Sequence, residues 1–175
     1  MKLAFTKHGL VAGLAAAVLT GTVSAQETAE AVFLDTNGKP IGTAKLMETP
    51  DGVVIRVEVN SLPPGEHAFH IHERGQCNPK DGFKSAGDHF SKPKQEHGYF
   101  SKGGPHAGDM PNQFVAKDGT LRAEVFISEV KLASASLLDS DGSALVLHAK
   151  PDDYRSQPSG NAGDRIACAV IKAGR

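Results

Sequence analysis

The chain has 175 residues, including eight histidines and two cysteines, and a formal net charge of −1 at neutral pH. This length predicts a single domain. A chain with so little net charge and no long basic run has no electrostatic basis for wrapping nucleic acid or for stable membrane adhesion.

The first 25 residues have the layout of a secretory signal peptide. Lys2 and Lys7 form a basic start, residues 9–19 are apolar and uncharged, and small residues at 23–25 precede a plausible cleavage point. We expect cleavage to leave residues 26–175 as one domain. The alternative, an uncleaved membrane anchor, is disfavoured because the apolar run is short for a bilayer. Export predicts a periplasmic protein, with full secretion as the other possibility.

Cys77 and Cys168 are the two cysteines. An oxidising compartment favours their pairing, so export predicts a disulfide, and two free buried thiols are the alternative. In the chain-entropy model a disulfide that closes so long a loop stabilises the fold by roughly 4–5 kcal/mol.

Short apolar runs separated by turn signals predict strands along the remaining chain. They lie at residues 31–34, 41–47, 53–59, 121–127, 145–148 and 165–171, and the histidine-rich segment after Pro63-Pro64-Gly65 continues the series. After the signal peptide, no segment keeps an apolar 3.6-residue period over three turns. The pattern indicates an all-β fold, an antiparallel sandwich or barrel of six to eight strands.

Two stretches interrupt this rhythm, residues 74–113 and residues 149–163. A loop of about 40 residues is unusual in a compact domain. We therefore expect metals or a disulfide to order the longer loop.

Polar residues in the longer loop form a candidate metal-binding set: His89, His97, His106 and Asp109. Three imidazoles and one carboxylate suit a tetrahedral zinc ion. Because all four come from the loop, the metal would replace its missing core. Such a closed site leaves no position open for a substrate.

A second set begins with His70 and His72, which should face the same side of a strand while Ile71 faces the other. His148 ends another predicted strand and could meet them across the sheet. Imidazole ligands suit copper, and His89 is near enough along the loop to be a fourth ligand that serves both metals. His67, by contrast, is more simply explained as a hydrogen-bonded or surface residue.

Two segments carry a family resemblance: Ala68-Phe69-His70-Ile71-His72-Glu73 and Gly160-Asn161-Ala162-Gly163-Asp164-Arg165-Ile166-Ala167-Cys168. They resemble the signature segments of the copper,zinc superoxide dismutases, and the histidines between them follow the family's order. The resemblance implies an eight-stranded antiparallel Greek-key barrel or sandwich with long metal-ordered loops. It also implies one copper and one zinc ion per subunit, and conversion of two superoxide anions to dioxygen and hydrogen peroxide by Cu(II)/Cu(I) cycling.

The resemblance also implies a role for individual residues. The copper ligands would be His70, His72, His89 and His148, and the zinc ligands His89, His97, His106 and Asp109. His89 would bridge the metals and act in catalysis together with Arg165, which guides superoxide. Asp152 would hydrogen-bond ligands of both metals, with Asp153 as its rival, and Cys77 and Cys168 would form the family's disulfide.

Some positions depart from the family's pattern. Asp88 precedes His89 where glycine or proline is common, and Asp164 stands beside Arg165 where a small residue is frequent. Lys92, Lys94 and Lys102 either help to attract superoxide or form a solvated face.

Two other functions fit parts of the pattern. A non-catalytic copper-delivery module could share the fold, although such relatives typically lose copper ligands or the arginine. A metal-dependent hydrolase would need an open zinc position. The sequence is compatible with both a monomer and a homodimer.

Overall fold

The computed structural model describes residues 27–132 and 136–174. The predicted signal peptide lies outside the described residues. Nine strands occur in the described part: β1 Thr28–Asp35, β2 Pro40–Thr49, β3 Gly52–Val59, β4 Gly65–His72, β5 Asp109–Val115, β6 Leu121–Ile127, β7 Ala144–His148, β8 Arg165–Val170 and the two-residue β9 Lys172–Ala173. Two single turns of 3₁₀ helix, Pro79–Asp81 and Lys84–Ala86, lie between β4 and β5.

The strands form one antiparallel sheet in the order β5-β4-β7-β8-β1-β2-β3-β6, and β9 pairs with β1. β3 pairs with β6 rather than with β4, and β4 pairs with both β5 and β7. The two end strands, β5 and β6, are joined by a tight turn at residues 116–120 and approach each other, so that the sheet forms a nearly closed barrel. The predicted all-β fold of eight antiparallel strands is confirmed, with β9 as a short addition.

Side chains from one face of the sheet fill the interior of the barrel. In β1, Ala29, Ala31 and Phe33 are buried while Glu30 and Val32 are exposed, as alternation on a half-buried strand requires. Large side chains from other strands, including Leu46, Ile55, Phe69, Ile71, Leu121, Leu145 and Leu147, complete this core.

Strands β4 and β7 are buried on both faces at the end that carries the histidines. Residues 67–72 and all of β7 are buried, because the connection between β4 and β5 folds over the outside of these strands. Part of that cover is a small apolar cluster in which Phe83 and Ala86 pack on Val146 and Cys168. The sequence analysis missed this cluster, which gives part of the long loop an apolar core of its own.

The predicted end of the long loop was wrong. Residues 109–113, assigned to the loop, belong to β5, where Asp109 pairs with His70 of β4. Backbone pairing on the open edge of β4 orders this segment although its sequence lacks a clear alternation. Asp109 is therefore positioned by the sheet and not by the loop.

The predicted disulfide is confirmed. Cys77 and Cys168 are bonded, with their Cα atoms 5.7 Å apart and a sequence separation of 91. The bond joins the start of the long loop to β8, three residues from Arg165.

Candidate metal centre

Three histidines converge on the outer face of the sheet. His70 and His72 lie on the same side of β4, as predicted, and Ile71 points into the core. Phe69 pairs with Leu147 across the β4–β7 ladder, so the next residue, His148, faces the same side as His70. The ring centroids of His70 and His148 are 4.9 Å apart, and those of His72 and His148 are 5.6 Å apart.

The long loop adds a fourth ring. His89 forms an isolated antiparallel bridge with His72, which places its ring centroid 4.0 Å from that of His70. One side-chain nitrogen from each of these four rings lies within 4.8 Å of the other three. We refer to His70, His72, His89 and His148 as the four-histidine group.

In His70 and His72, one ring nitrogen is occupied by a contact outside the group, and the other nitrogen faces the neighbouring rings. His70 Nε2 lies 2.8 Å from Asp152 Oδ2, and His72 Nδ1 lies 3.0 Å from the carbonyl oxygen of Gly87. The opposite nitrogen of His70, Nδ1, is buried without a hydrogen-bond partner, and so is His89 Nε2. Orphaned buried nitrogens are costly unless a cation binds them, so the group fits a metal ion with nitrogen ligands, such as copper.

The electrostatics of the four rings favour the neutral, metal-binding form. Burial, with the neighbouring rings, lowers the pKa of His72 and His148 well below the ordinary value and that of His89 to about 3. Burial also lowers the pKa of His70, although Asp152 opposes this effect. Neutral imidazoles bind a metal without first losing a proton.

A second group shares His89 and contains Asp109. His89 Nδ1 is 2.8 Å from Asp109 Oδ1, His97 Nδ1 is 3.1 Å from Oδ2, and His106 Nδ1 is 3.6 Å from Oδ1. The Nδ1 atoms of His97 and His106 are buried without a hydrogen-bond partner. We refer to His89, His97, His106 and Asp109 as the aspartate group, a set that suits zinc.

His70 competes with His106 as the fourth member of this second set. Ligand atoms of His70, His89, His97 and Asp109 lie within 4.8 Å of one another, a set that omits His106. His70, however, has one nitrogen occupied by Asp152, and its free Nδ1 can serve a single metal. His106 has an orphaned nitrogen and no other partner for it, so the geometry favours His106.

Within the aspartate group, Asp109 carries a negative charge. Burial would raise the pKa of Asp109, but contacts with His106, His89 and His97 and with the Gly98 N–H hold it well below its ordinary range. Burial likewise disfavours the charged form of His97, yet the carboxylates of Asp109 and Asp152 outweigh this and raise its pKa to about 9. A buried carboxylate that stays ionised attracts a divalent cation.

Asp152 connects the two groups. Its Oδ2 accepts a hydrogen bond from His70 Nε2 (2.8 Å), and its Oδ1 accepts one from His97 Nε2 (2.9 Å). Its rival from the sequence, Asp153, lies in an exposed turn and accepts hydrogen bonds from the backbone of Arg155 and Ser156. A carboxylate that holds one ring of each group fixes the orientation of both.

Two residues missed in the sequence analysis hold Asp152 in place. The side chain of Asn112 accepts a hydrogen bond from the Asp152 N–H (2.8 Å) and donates one to its carbonyl oxygen (2.9 Å). Gly160 packs directly against the Asp152 carboxylate. Only the fold brings Asn112, 40 residues away, to Asp152, and no spacing rule would have identified it.

An open cavity of about 400 Å³ leads to the four-histidine group. It is lined by His72, Asp88, His89, Ser91, His106, His148, Pro158, Ser159, Gly163 and Arg165. Arg165 donates hydrogen bonds to the carbonyl oxygens of Phe83 and Gly87, both 2.7 Å long. A cavity of about 450 Å³ near Val32 and Cys77 has mostly apolar lining and no histidine, so we assign the chemistry to the cavity with Arg165.

The three lysines considered for attracting an anion are not among the residues that line this cavity. Lys92 instead pairs with Glu129 at 2.6 Å, and both side chains are about half exposed. Asp88 is exposed and does line the cavity.

The antiparallel barrel carries two groups of buried side chains that could each hold a metal ion, and both groups contain His89. This arrangement defines a protein that binds two metal ions side by side. The sequence matches the family described as Copper/zinc superoxide dismutase (SODC) over residues 40–171. It is 45% identical to Superoxide dismutase (Cu-Zn) 2 of Aquifex aeolicus (strain VF5), over 94% of this chain and 97% of that protein. The chain therefore belongs to the copper/zinc superoxide dismutase family, and its cofactors are copper and zinc.

Solved structures agree with this assignment. A SOD-like protein from Bacillus subtilis has a TM-score of 0.77 and 37% identity, covering 82% of this chain and 97% of that one. The Cu/Zn superoxide dismutase from Brucella abortus has a TM-score of 0.69 and 30% identity, covering 83% and 100%. Within residues 27–132 and 136–174, no helix has the length and apolar character required to cross a membrane.

Proposed function

We propose that this chain is a superoxide dismutase whose copper is bound by the four-histidine group. The observation that carries the proposal is the convergence of four buried imidazole nitrogens beside a cavity that also contains Arg165. When bound, copper supplies one-electron cycling between Cu(II) and Cu(I). In each turnover one superoxide is oxidised to dioxygen, and a second takes up one electron and two protons to give hydrogen peroxide.

Zinc is bound by the aspartate group in this proposal, with one zinc and one copper per chain. His89, His97, His106 and Asp109 already supply four ligands, which supports a structural zinc over the open position that a hydrolase needs. These ligands would hold a zinc ion that fixes the position of the His89 ring.

His89 has the position of a proton carrier. Its Nδ1 faces Asp109, and its Nε2 is buried within the four-histidine group on the wall of the open cavity. This nitrogen can hold a metal ion or a proton but not both at once. A proton taken up there from solvent between the two half-reactions would be donated to the anion as peroxide forms.

Arg165 binds and orients the anion. Two of its N–H groups are held by the carbonyl oxygens of Phe83 and Gly87, so its guanidinium is fixed at the cavity wall while its other donors remain available. The chain as a whole is slightly acidic, with a net charge of −1. A local positive charge therefore has to overcome the field of the rest of the molecule.

We also propose that residues 1–25 are a cleaved signal peptide, that residues 26–175 form the single mature domain, and that this domain acts in the periplasm. The amino-terminal charge and hydropathy pattern supports export. The Cys77–Cys168 disulfide supports an oxidising compartment.

Metal loading followed by an activity assay tests the proposal. The mature protein is prepared free of metals, titrated with zinc alone or with copper and zinc, and assayed for superoxide loss. We expect one copper and one zinc per chain, and activity only in the form that contains copper. Tight zinc binding without copper-dependent activity would reject the enzyme and leave a metal-stabilised binding module.

A further inference from the structure

The cavity that leads to the four-histidine group contains opposite fixed charges. Arg165 contributes a cation, and Asp88 is the carboxylate among the residues that line it. The Asp88 side chain is exposed.

Residues 83–88 carry Asp88 and also hold Arg165. The carbonyl oxygen of Asp88 accepts a hydrogen bond from the Glu73 N–H (2.9 Å), within the bridge that also joins His72 to His89. The carbonyl oxygens that hold Arg165 belong to Phe83 and Gly87. The backbone of Asp88 is therefore held next to the segment that binds the guanidinium.

The two charges also interact. Burial lowers the pKa of Arg165, and Asp88 opposes this effect, followed by Asp81. Asp81 is not among the residues that line the cavity, whereas Asp88 is, so an entering anion meets the charge of Asp88 directly.

We propose that Asp88 is a specificity-determining residue that selects monoanions over dianions at the cavity of Arg165. This inference rests on the proposed function, because it concerns the same cavity and the same anionic substrate. Asp88 weakens the attraction of Arg165 for every anion, but its repulsion grows with the charge of the anion. The affinity for superoxide, a small monoanion, is lowered least, and the affinity for competing dianions such as hydrogen phosphate is lowered most.

Coulomb's law gives this proposal a quantitative form. The repulsion energy is proportional to the charge of the ligand. The factor by which Asp88 lowers the affinity for a dianion is therefore the square of the factor by which it lowers the affinity for a monoanion. At low ionic strength, a charge at the mouth of a solvated cavity changes monoanion affinity by about two- to fivefold. The affinity for a dianion then changes by the square of the factor measured for a monoanion.

The experiment measures anion binding without relying on catalysis. The protein is loaded with zinc at both metal positions, and the side-chain Nε–H signal of Arg165 is followed by NMR during titration with nitrate and with hydrogen phosphate. We expect Asp88→Asn to tighten nitrate binding about two- to fivefold at low salt, and hydrogen phosphate binding by the square of that factor. Asp88→Glu, which keeps the charge, should bind both anions as the unaltered protein does.

Asp164→Asn provides a matched control, because Asp164 is exposed and adjacent to Arg165 in sequence but is not among the residues that line the cavity. Asp164→Asn removes the same charge as Asp88→Asn. For each anion, the change that it causes in the logarithm of the affinity should be less than half of the change caused by Asp88→Asn. Equal effects of the two variants would assign the repulsion to net charge and overturn the proposal. An unchanged phosphate affinity in Asp88→Asn would overturn it as well.

The copper,zinc-loaded protein gives the second readout. Superoxide decay should be inhibited by phosphate more strongly in Asp88→Asn than in the unaltered protein, and the difference should disappear at high salt. If the loaded protein shows no superoxide decay at all, the proposed function fails, but the NMR titration still decides the role of Asp88.

Discussion

Gly160 lies so close to Asp152 that a Cβ atom at position 160 would overlap the Asp152 carboxylate and approach within 2.7 Å of His97 Nε2. The contact occurs where Asp152 joins the two metal-binding groups. A side chain at position 160 would have to displace the carboxylate from His97.

Gly160→Ala should therefore weaken metal binding. We expect zinc affinity to fall about 10- to 100-fold, the range typical when a residue that orients metal ligands is lost. Gly160 has φ +66°, so alanine also strains the backbone. Gly82 has the same φ of +66° with nothing near its missing Cβ, and Gly82→Ala should cost about 1–2 kcal/mol of stability without changing zinc affinity. Similar zinc affinities in both variants would contradict this account.

Asn112 should matter to the metal centre although it touches no metal ligand. Asn112→Ala leaves the Asp152 N–H and carbonyl without their partners, and we expect a loss of roughly 1–3 kcal/mol in the free energy of unfolding and weaker zinc binding. Gln113 is the natural control, because it is equally buried, at 9% exposure, and its side chain donates to the carbonyl oxygen of Pro111. Gln113→Ala should leave zinc affinity unchanged. Calorimetry of zinc binding and urea unfolding measure both effects.

His67 should be a structural residue and not a metal ligand. Its Nδ1 and Nε2 each lie 2.8 Å from a backbone carbonyl oxygen, of His148 and Pro63 respectively. His67→Phe removes the ring nitrogens that lie against these two carbonyl oxygens, and it should destabilise the protein by roughly 1–3 kcal/mol while the copper and zinc content stays the same. His67→Gln can restore one of the two contacts and should recover part of the stability. A loss of one metal ion per chain in either variant would show that His67 is a ligand.

Metal removal should affect the long loop unevenly. Residues 88–108 contain three side chains of the two metal-binding groups, His89, His97 and His106. Phe83 and Cys77 anchor the preceding part through the apolar cluster and the disulfide. In the metal-free protein, amide hydrogen exchange should become faster in residues 88–108 and change little in residues 76–86 and in β1–β3. Equal loss of protection across the whole loop would show that metal alone orders it.

Local rules explain why the strands and the metal-binding residues could be predicted. The same-face spacing of His70 and His72 follows from strand geometry, and the paired cysteines follow from export. The position of Asp109 in β5 could not be predicted, because its strand is defined by pairing with β4 and not by its own pattern. Asn112 and Phe83 act through contacts between residues far apart in sequence, and such contacts exist only in the folded chain.

The central claim, that one ring belongs to both metal-binding groups, is tested most directly by electron paramagnetic resonance. Copper is added to the four-histidine group and cobalt(II) takes the place of zinc in the aspartate group. If His89 is the shared ligand, the two paramagnetic ions couple through its ring, and the copper signal should be lost as cobalt binds. A copper signal that stays unchanged with one cobalt bound per chain would contradict the account.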